Sequence, residues 1–97
     1  MLKIGKSDRN YYFYLYDDSE HYPYCNSDEA ITHGLNMEIF DYRNILIKNR
    51  AIIDVLRDYS NSGDFKLRYF FERNEDAQKA LEELEAYAVM AKLTSEN

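Results

Sequence analysis

The chain has 97 residues, with 12 Lys and Arg against 18 Asp and Glu, for a net charge of −6. A length at or below one ordinary domain of roughly 100–150 residues excludes a second domain, and a core that buries only about 60–70% of the unfolded surface leaves little room for a deep cofactor cavity. Hydrophobic content of 45% with 15% aromatics excludes a disordered chain, even with 31% charged residues.

Taken in chain order, Leu2, Lys3 and Ile4 read as a short strand that pairs across a turn over 5–10 with a second strand over 11–16. In that second strand Tyr11, Phe13 and Leu15 point one way and Tyr12, Tyr14 and Tyr16 the other, so one face fills a core and the other exposes phenols. Residues 21–25 give a third short strand, kept to an edge because Pro23 has no backbone donor. Ser27 is an N-cap with Asp28 and Glu29 in the first turn of a short helix that Gly34 closes at His33. Residues 35–40 read as an extended link. Asp41 then opens a long middle helix over about 42–59, with apolar residues recurring at three and four and an Arg50–Asp54 pair along its side. A competing reading ends this helix near Asn49 and makes 52–59 a strand, because Ile52, Ile53, Val55 and Tyr59 favour β-structure. Residues 60–64 form a turn and 65–71 a half-buried strand. Asn74 caps a C-terminal helix whose buried face is Ala77, Ala80, Leu81, Leu84, Tyr87, Ala88 and Ala91, with a frayed tail over 94–97. The expected fold class is α+β, a small, mainly antiparallel sheet packed against the long middle helix and the C-terminal helix.

Charge is laid out unevenly. Residues 1–9 carry +2, residues 43–73 carry +3 and residues 74–97 carry −4. From 10 to 42 there is no Lys or Arg, while Asp17, Asp18, Glu20, Asp28, Glu29, Glu38 and Asp41 contribute −7. The same stretch holds seven of the ten tyrosines, a residue enriched in protein interfaces for its rigid contact area and polar tip. Acid with tyrosine reads as a contact surface for a basic partner, and phosphate repulsion argues against direct binding of nucleic acid or an anionic membrane. The candidate partner-binding residues are these acids with Asp76, Glu82 and Glu83 of the last helix and Tyr12, Tyr14 and Tyr16. Acids spaced along a folded surface repeat the charge density of a DNA backbone with little ordering entropy to lose on binding.

His21, Cys25 and His33 with Asp28 or Glu29 are zinc donor types, but the spacing is not that of a finger, and no metal or other cofactor is expected. Asp64 and Glu72 lack a following Glu-x-Lys element, and no phosphate loop, nucleophile elbow or protease spacing is present, so no enzyme is expected. One cysteine makes no internal disulfide, the start has no signal-peptide core and no apolar run spans a bilayer, so the expected compartment is a reducing cytoplasm.

Two resemblances follow from these residues. The run from Lys66 through Leu81, with its aromatic strand and a Glu75-Asp76-Ala77-x-x-Ala80-Leu81 helix, resembles the third strand and second helix of RNA-recognition-motif domains, without the glycines of their stacking strand. In size, acidity, tyrosine content and lack of catalytic motifs, the chain resembles the small inhibitors that phages encode against host DNA-handling machinery, among them DNA-mimic anti-CRISPR proteins. That resemblance implies a non-enzymatic inhibitor that occupies the basic DNA site of a CRISPR effector complex in the host cytoplasm. The alternative is an interaction module without mimicry, an antitoxin or adaptor, in which the tyrosines supply the affinity.

Overall fold

The computed structural model describes residues 2–7, 11–17, 27–57 and 65–95. The expected third strand over 21–25 and the turn over 60–64 lie outside the described residues. The fold class is α+β, in the order β1 (Leu2–Lys6), β2 (Phe13–Asp17), α1 (Asp28–Leu35), α2 (Ile39–Lys48), β3 (Ile52–Arg57), β4 (Phe65–Phe70) and α3 (Asn74–Ser95). The strands form two two-stranded antiparallel sheets, β1 with β2 and β3 with β4. Among the described residues a bridge joins them, in which the Phe13 N–H donates to the Phe71 carbonyl at 2.8 Å and the Phe71 N–H to the Phe13 carbonyl at 2.7 Å.

The register sorts the side chains onto two faces. Leu2 lies opposite Asp17, Ile4 opposite Leu15 and Lys6 opposite Phe13, so these share the face on which Leu2 and Leu15 are buried. Tyr69 and Phe71 continue that inner face, and α1, α2 and α3 cover it through Ile31, Tyr42, Leu46, Ala77, Ala80 and Leu84. Each buried Leu, Ile or Phe contributes about 1.5–3 kcal/mol through burial. On the outer face Gly5 lies opposite Tyr14. A Cβ on Gly5 would stand only 2.7 Å from the Tyr14 ring, so the glycine is what lets that ring lie across β1.

The middle of the chain departs from the long helix expected over 42–59. α2 begins three residues earlier, with Glu38 at its N-cap and Asp41 inside its first turn, and stops at Lys48. Arg50 takes a left-handed φ of 68°, the Arg50 N–H donates to the Ile47 carbonyl and the Ala51 N–H to the Leu46 carbonyl, both at 3.0 Å. This pair of bonds is a Schellman closure, which uses up the last carbonyls of the helix. The β-branched Ile52, Ile53 and Val55 then pair with Phe70, Tyr69 and Leu67, so the competing reading describes this segment. Asp54 meets Arg68 across the ladder at 2.8 Å instead of Arg50 along a helix. Because an L-residue other than glycine is strained at φ 68°, Arg50→Gly is expected to raise stability by about 0.5–1 kcal/mol, read as a higher midpoint in thermal unfolding.

The link expected over 35–40 is shorter. α1 runs through Gly34 to Leu35, and Asn36, at φ 52°, ends it by the same closure: its N–H donates to the His33 carbonyl and the Met37 N–H to the Thr32 carbonyl. At the start of α3 the Arg73 carbonyl accepts from the Asp76 and Ala77 N–H groups, which makes Asn74 the first helical residue instead of the cap. The helix continues through Ser95, past the start of the tail expected from 94.

The core holds two phenols. Tyr42 and Tyr69 meet edge to face, with centroids 6.0 Å apart. Burial pushes both above the ordinary value of 10.0, and for Tyr42 the neighbouring Tyr69 and Asp28 add to the rise. Their raised folded-state values mean that their contribution is complete below about pH 10 and falls as pH rises above it, because the unfolded chain ionises first. With ten tyrosines in the chain, alkaline titration is therefore expected to show the last part of the phenolate absorbance, that of Tyr42 and Tyr69, appearing together with loss of circular dichroism. Tyr42→Phe is expected to move that transition to higher pH.

Candidate functional site

Of the seven acids expected on one face between 10 and 42, the structure brings three together. α1 and α2 are joined by only 36–38, and the tight reversal at Asn36 sets Glu38 beside the last turn of α1. Glu29 and Glu38, both exposed, line a groove of about 450 Å³ with His33, Met37, Ile39 and Tyr87. Asp41 stands at its margin, where its Oδ2 accepts a 2.7 Å hydrogen bond from the Tyr87 hydroxyl. That bond, with the charges of Asp41 and Glu38 nearby, holds the Tyr87 phenol above its usual range. No Lys or Arg lines the groove among the described residues.

The other acids are placed differently. Asp17 lies on the inner face of β2 against α1, where a Cβ on Gly34 would sit 3.3 Å from its Oδ2. Asp28 is only 2% exposed, which corrects its expected place on the partner surface. Its Oδ2 accepts from Arg43 Nη2 at 2.7 Å and Nε at 3.0 Å, and its Oδ1 from the backbone of Glu29 and Leu67. A carboxylate this enclosed needs a fixed cation and several donors, and Arg43 of α2 supplies the forked pair. The Tyr69 hydroxyl, buried next to that guanidinium, lies outside hydrogen-bonding geometry with it. Glu83 is paired with Lys48 at 2.8 Å, and this contact holds its carboxyl below the usual glutamate value. Asp76 is half-exposed and Glu82 exposed on α3. Asp18 and Glu20 lie outside the described residues, as do His21, Cys25 and Asp64. Among the described residues no group of three metal-donor side chains comes together, and no helix is long and apolar enough to cross a membrane.

The tyrosines occupy a separate surface. The half-buried Tyr14 and Tyr16 stand on the outer face of β2, where Tyr14 meets Phe70 edge to face at 6.1 Å, and Tyr12, 41% exposed just before the strand, meets the same Phe70 ring at 6.3 Å. Glu29, Glu38 and Asp41 thus end on a different side of the molecule from Tyr12, Tyr14 and Tyr16. Sequence reasoning missed Arg43 and Tyr87. Their partners lie 15 and 46 residues away, beyond any local spacing rule.

Chemically, the groove suits a cationic side chain. Glu29 and Glu38 offer carboxylate acceptors, the Tyr87 ring a face for a cation, and Met37 and Ile39 apolar contact for an aliphatic stem. No protein-family model matches the chain, and no curated protein or solved structure is significantly similar to it.

Proposed function

We propose that this is a non-enzymatic binding protein whose helical side occupies the basic nucleic-acid-binding surface of a partner protein. The observation that carries the reading is the groove between α1, α2 and α3, where Glu29 and Glu38 are exposed with no lysine or arginine lining it among the described residues. Two other helical acids are ion-paired, Glu83 with Lys48 and Asp28 with Arg43. An uncompensated acidic groove attracts a basic partner at long range and accepts its lysine or arginine at contact. A DNA-mimic inhibitor of a CRISPR effector complex is the form of this activity that the chain's composition resembles. Mimicry then rests on Glu29, Glu38 and Asp41, with Asp76 and Glu82 as outlying charges, and not on Asp28.

The test is a double reversal, Glu29→Lys with Glu38→Lys, in a pull-down from host lysate with and without nuclease, followed by titration against the captured protein. Binding is expected to weaken at least tenfold, because like charges then face each other across the contact. Folding stability is expected to change by no more than about 0.5 kcal/mol, since both side chains are exposed. Affinity that stays constant between about 50 and 200 mM salt would sink the reading. Loss of binding on Tyr14→Ala with no effect of the double reversal would move the contact to the sheet.

A further inference from the structure

The two sheets end in edge strands of opposite character. Among the described residues β1 pairs only with β2 and β3 only with β4, so each leaves one row of backbone donors and acceptors without a partner strand. β1 carries the exposed Lys3 and Lys6, and lysines along an edge oppose pairing with a further strand. β3, which runs Ile52-Ile53-Asp54-Val55-Leu56-Arg57, has no lysine and no proline. Its apolar side chains are open as well. Ile53 and Val55 lie opposite Tyr69 and Leu67, on the face that the helices cover. Yet Tyr69 is 4% exposed, while Ile53 is 48% and Val55 55% exposed. The helices therefore cover β4 and stop short of β3. On the other face Ile52 is exposed too.

We propose that β3 is the contact between two copies of this chain, which pair edge to edge and antiparallel about a two-fold axis at Asp54. The unmet backbone groups of an edge are satisfied along their length only by another extended strand, which fixes the class of ligand. The residue pattern then selects β3 itself. Opposed residues of an antiparallel pair share a face, so a two-fold at Asp54 sets Ile53 against Val55 of the second copy and Ile52 against its Leu56. Each apolar residue meets an apolar residue, and the two side chains that the helices leave open cover each other. The two Asp54 side chains meet as like charges, but each is paired with its own Arg68 at 2.8 Å, so the centre of the contact holds two acids and two bases. Neighbouring registers lose this match. A two-fold at Val55 sets Ile53 against Arg57 and Asp54 against Leu56, and one at Ile53 sets Ile52 against Asp54. Pairing about a two-fold uses up both β3 edges, so assembly closes at the dimer. A six-residue strand spans only about 20 Å. The contact is therefore smaller than the roughly 1,200 Å² of a stable interface, and the dimer is weak. The inference concerns a different surface from the acidic groove and stands independently of the helix-side reading.

The experiment is sedimentation velocity of the full chain from about 10 μM to about 1 mM, the range in which a contact of this size associates. A dimer whose fraction rises with concentration is expected. Because each copy carries −6, added salt is expected to strengthen it, the reverse of the response expected of the helix-side contact. Ile53→Lys with Val55→Lys is expected to weaken association at least about tenfold, since it gives β3 the lysines that β1 already has. Both side chains are exposed, and circular dichroism checks that the variant folds. Oxidation of Asp54→Cys in a Cys25→Ser background reads the register. Opposed Cα atoms stand about 4.5–5.5 Å apart, within disulfide range, so a crosslinked dimer is expected there. Lys3→Cys in the same background is expected to stay uncrosslinked. A monomer at every concentration overturns the proposal. So does a dimer that persists unchanged in the folded Ile53→Lys/Val55→Lys variant, or a crosslink through residue 3 and not through residue 54.

Discussion

Replacing Arg43 with Leu is expected to cost about 3–5 kcal/mol of folding stability, because it strips the Asp28 carboxylate of its counter-charge in a site with almost no access to water. The effect is asymmetric. The Asp28 side chain is 3% exposed and that of Arg43 31%, so a guanidinium left alone can turn toward solvent while a carboxylate left alone cannot. Asp28→Asn, which keeps an oxygen for the Glu29 and Leu67 N–H groups, is therefore expected to cost less, about 1–3 kcal/mol. Against a total stability of about 5–15 kcal/mol for a domain of this kind, the Arg43 variant is marginal or unfolded at 37 °C. Denaturant unfolding at neutral pH separates the cases. A cost below about 1 kcal/mol for Arg43→Leu would mean that water reaches Asp28 in the folded state. A reversal at Asp28 thus reports on folding, whereas reversals at the exposed Glu29 and Glu38 report on a partner.

Phe71→Ala is expected to remove another 3–5 kcal/mol or so, by a different mechanism. Phe71 has no exposed surface, and it sits where the two sheets meet, its backbone bonded both ways to Phe13. Truncation leaves those backbone bonds in place but opens a cavity beneath α1 and α3, which the short elements around it cannot fill without shifting. Phe70→Ala, one residue earlier on the outer face, is expected to cost about 1 kcal/mol, since its ring is half-exposed and packs against Tyr12, Tyr14 and the Arg68 guanidinium at the surface. Comparable thermal midpoints for the two variants would mean that the sheets do not depend on this side chain for their union.

The contrast between those neighbours marks where the sequence stops being legible. Lys66 through Tyr69 alternate, and then Phe70 and Phe71 are both aromatic, so the pattern does not say which ring faces the core. Pairing decides it: Phe70 lies opposite Ile52 in the ladder, and Phe71 bonds to Phe13 on the other edge. The first hairpin was more readable. Its alternation of Phe13 and Leu15 against Tyr12, Tyr14 and Tyr16 survives in the fold because a strand's period of two is a local property. α3 was readable for the same kind of reason, with Ala77, Ala80 and Leu84 at helical spacing all fully buried. Ile52 and Ile53 extend the helical period of α2 by chance. Only the left-handed Arg50 and the partner strand separate helix from β-structure there, and arginine is not a residue that signals such a turn.

The acids follow the same division. Composition and order determined by themselves that the chain is acidic, rich in tyrosine and of the α+β class, because counts and short periods are carried by neighbouring residues. Asp28 and Glu29 look alike in sequence, yet one is sealed against Arg43 and the other is open in the groove. Which acid is structural, which is free and which side the tyrosines take depend on residues 15 to 46 positions apart meeting across the core. Those meetings exist only once the helices cover one face of the sheets, and so only the tertiary structure turned one acidic, tyrosine-rich stretch into two surfaces.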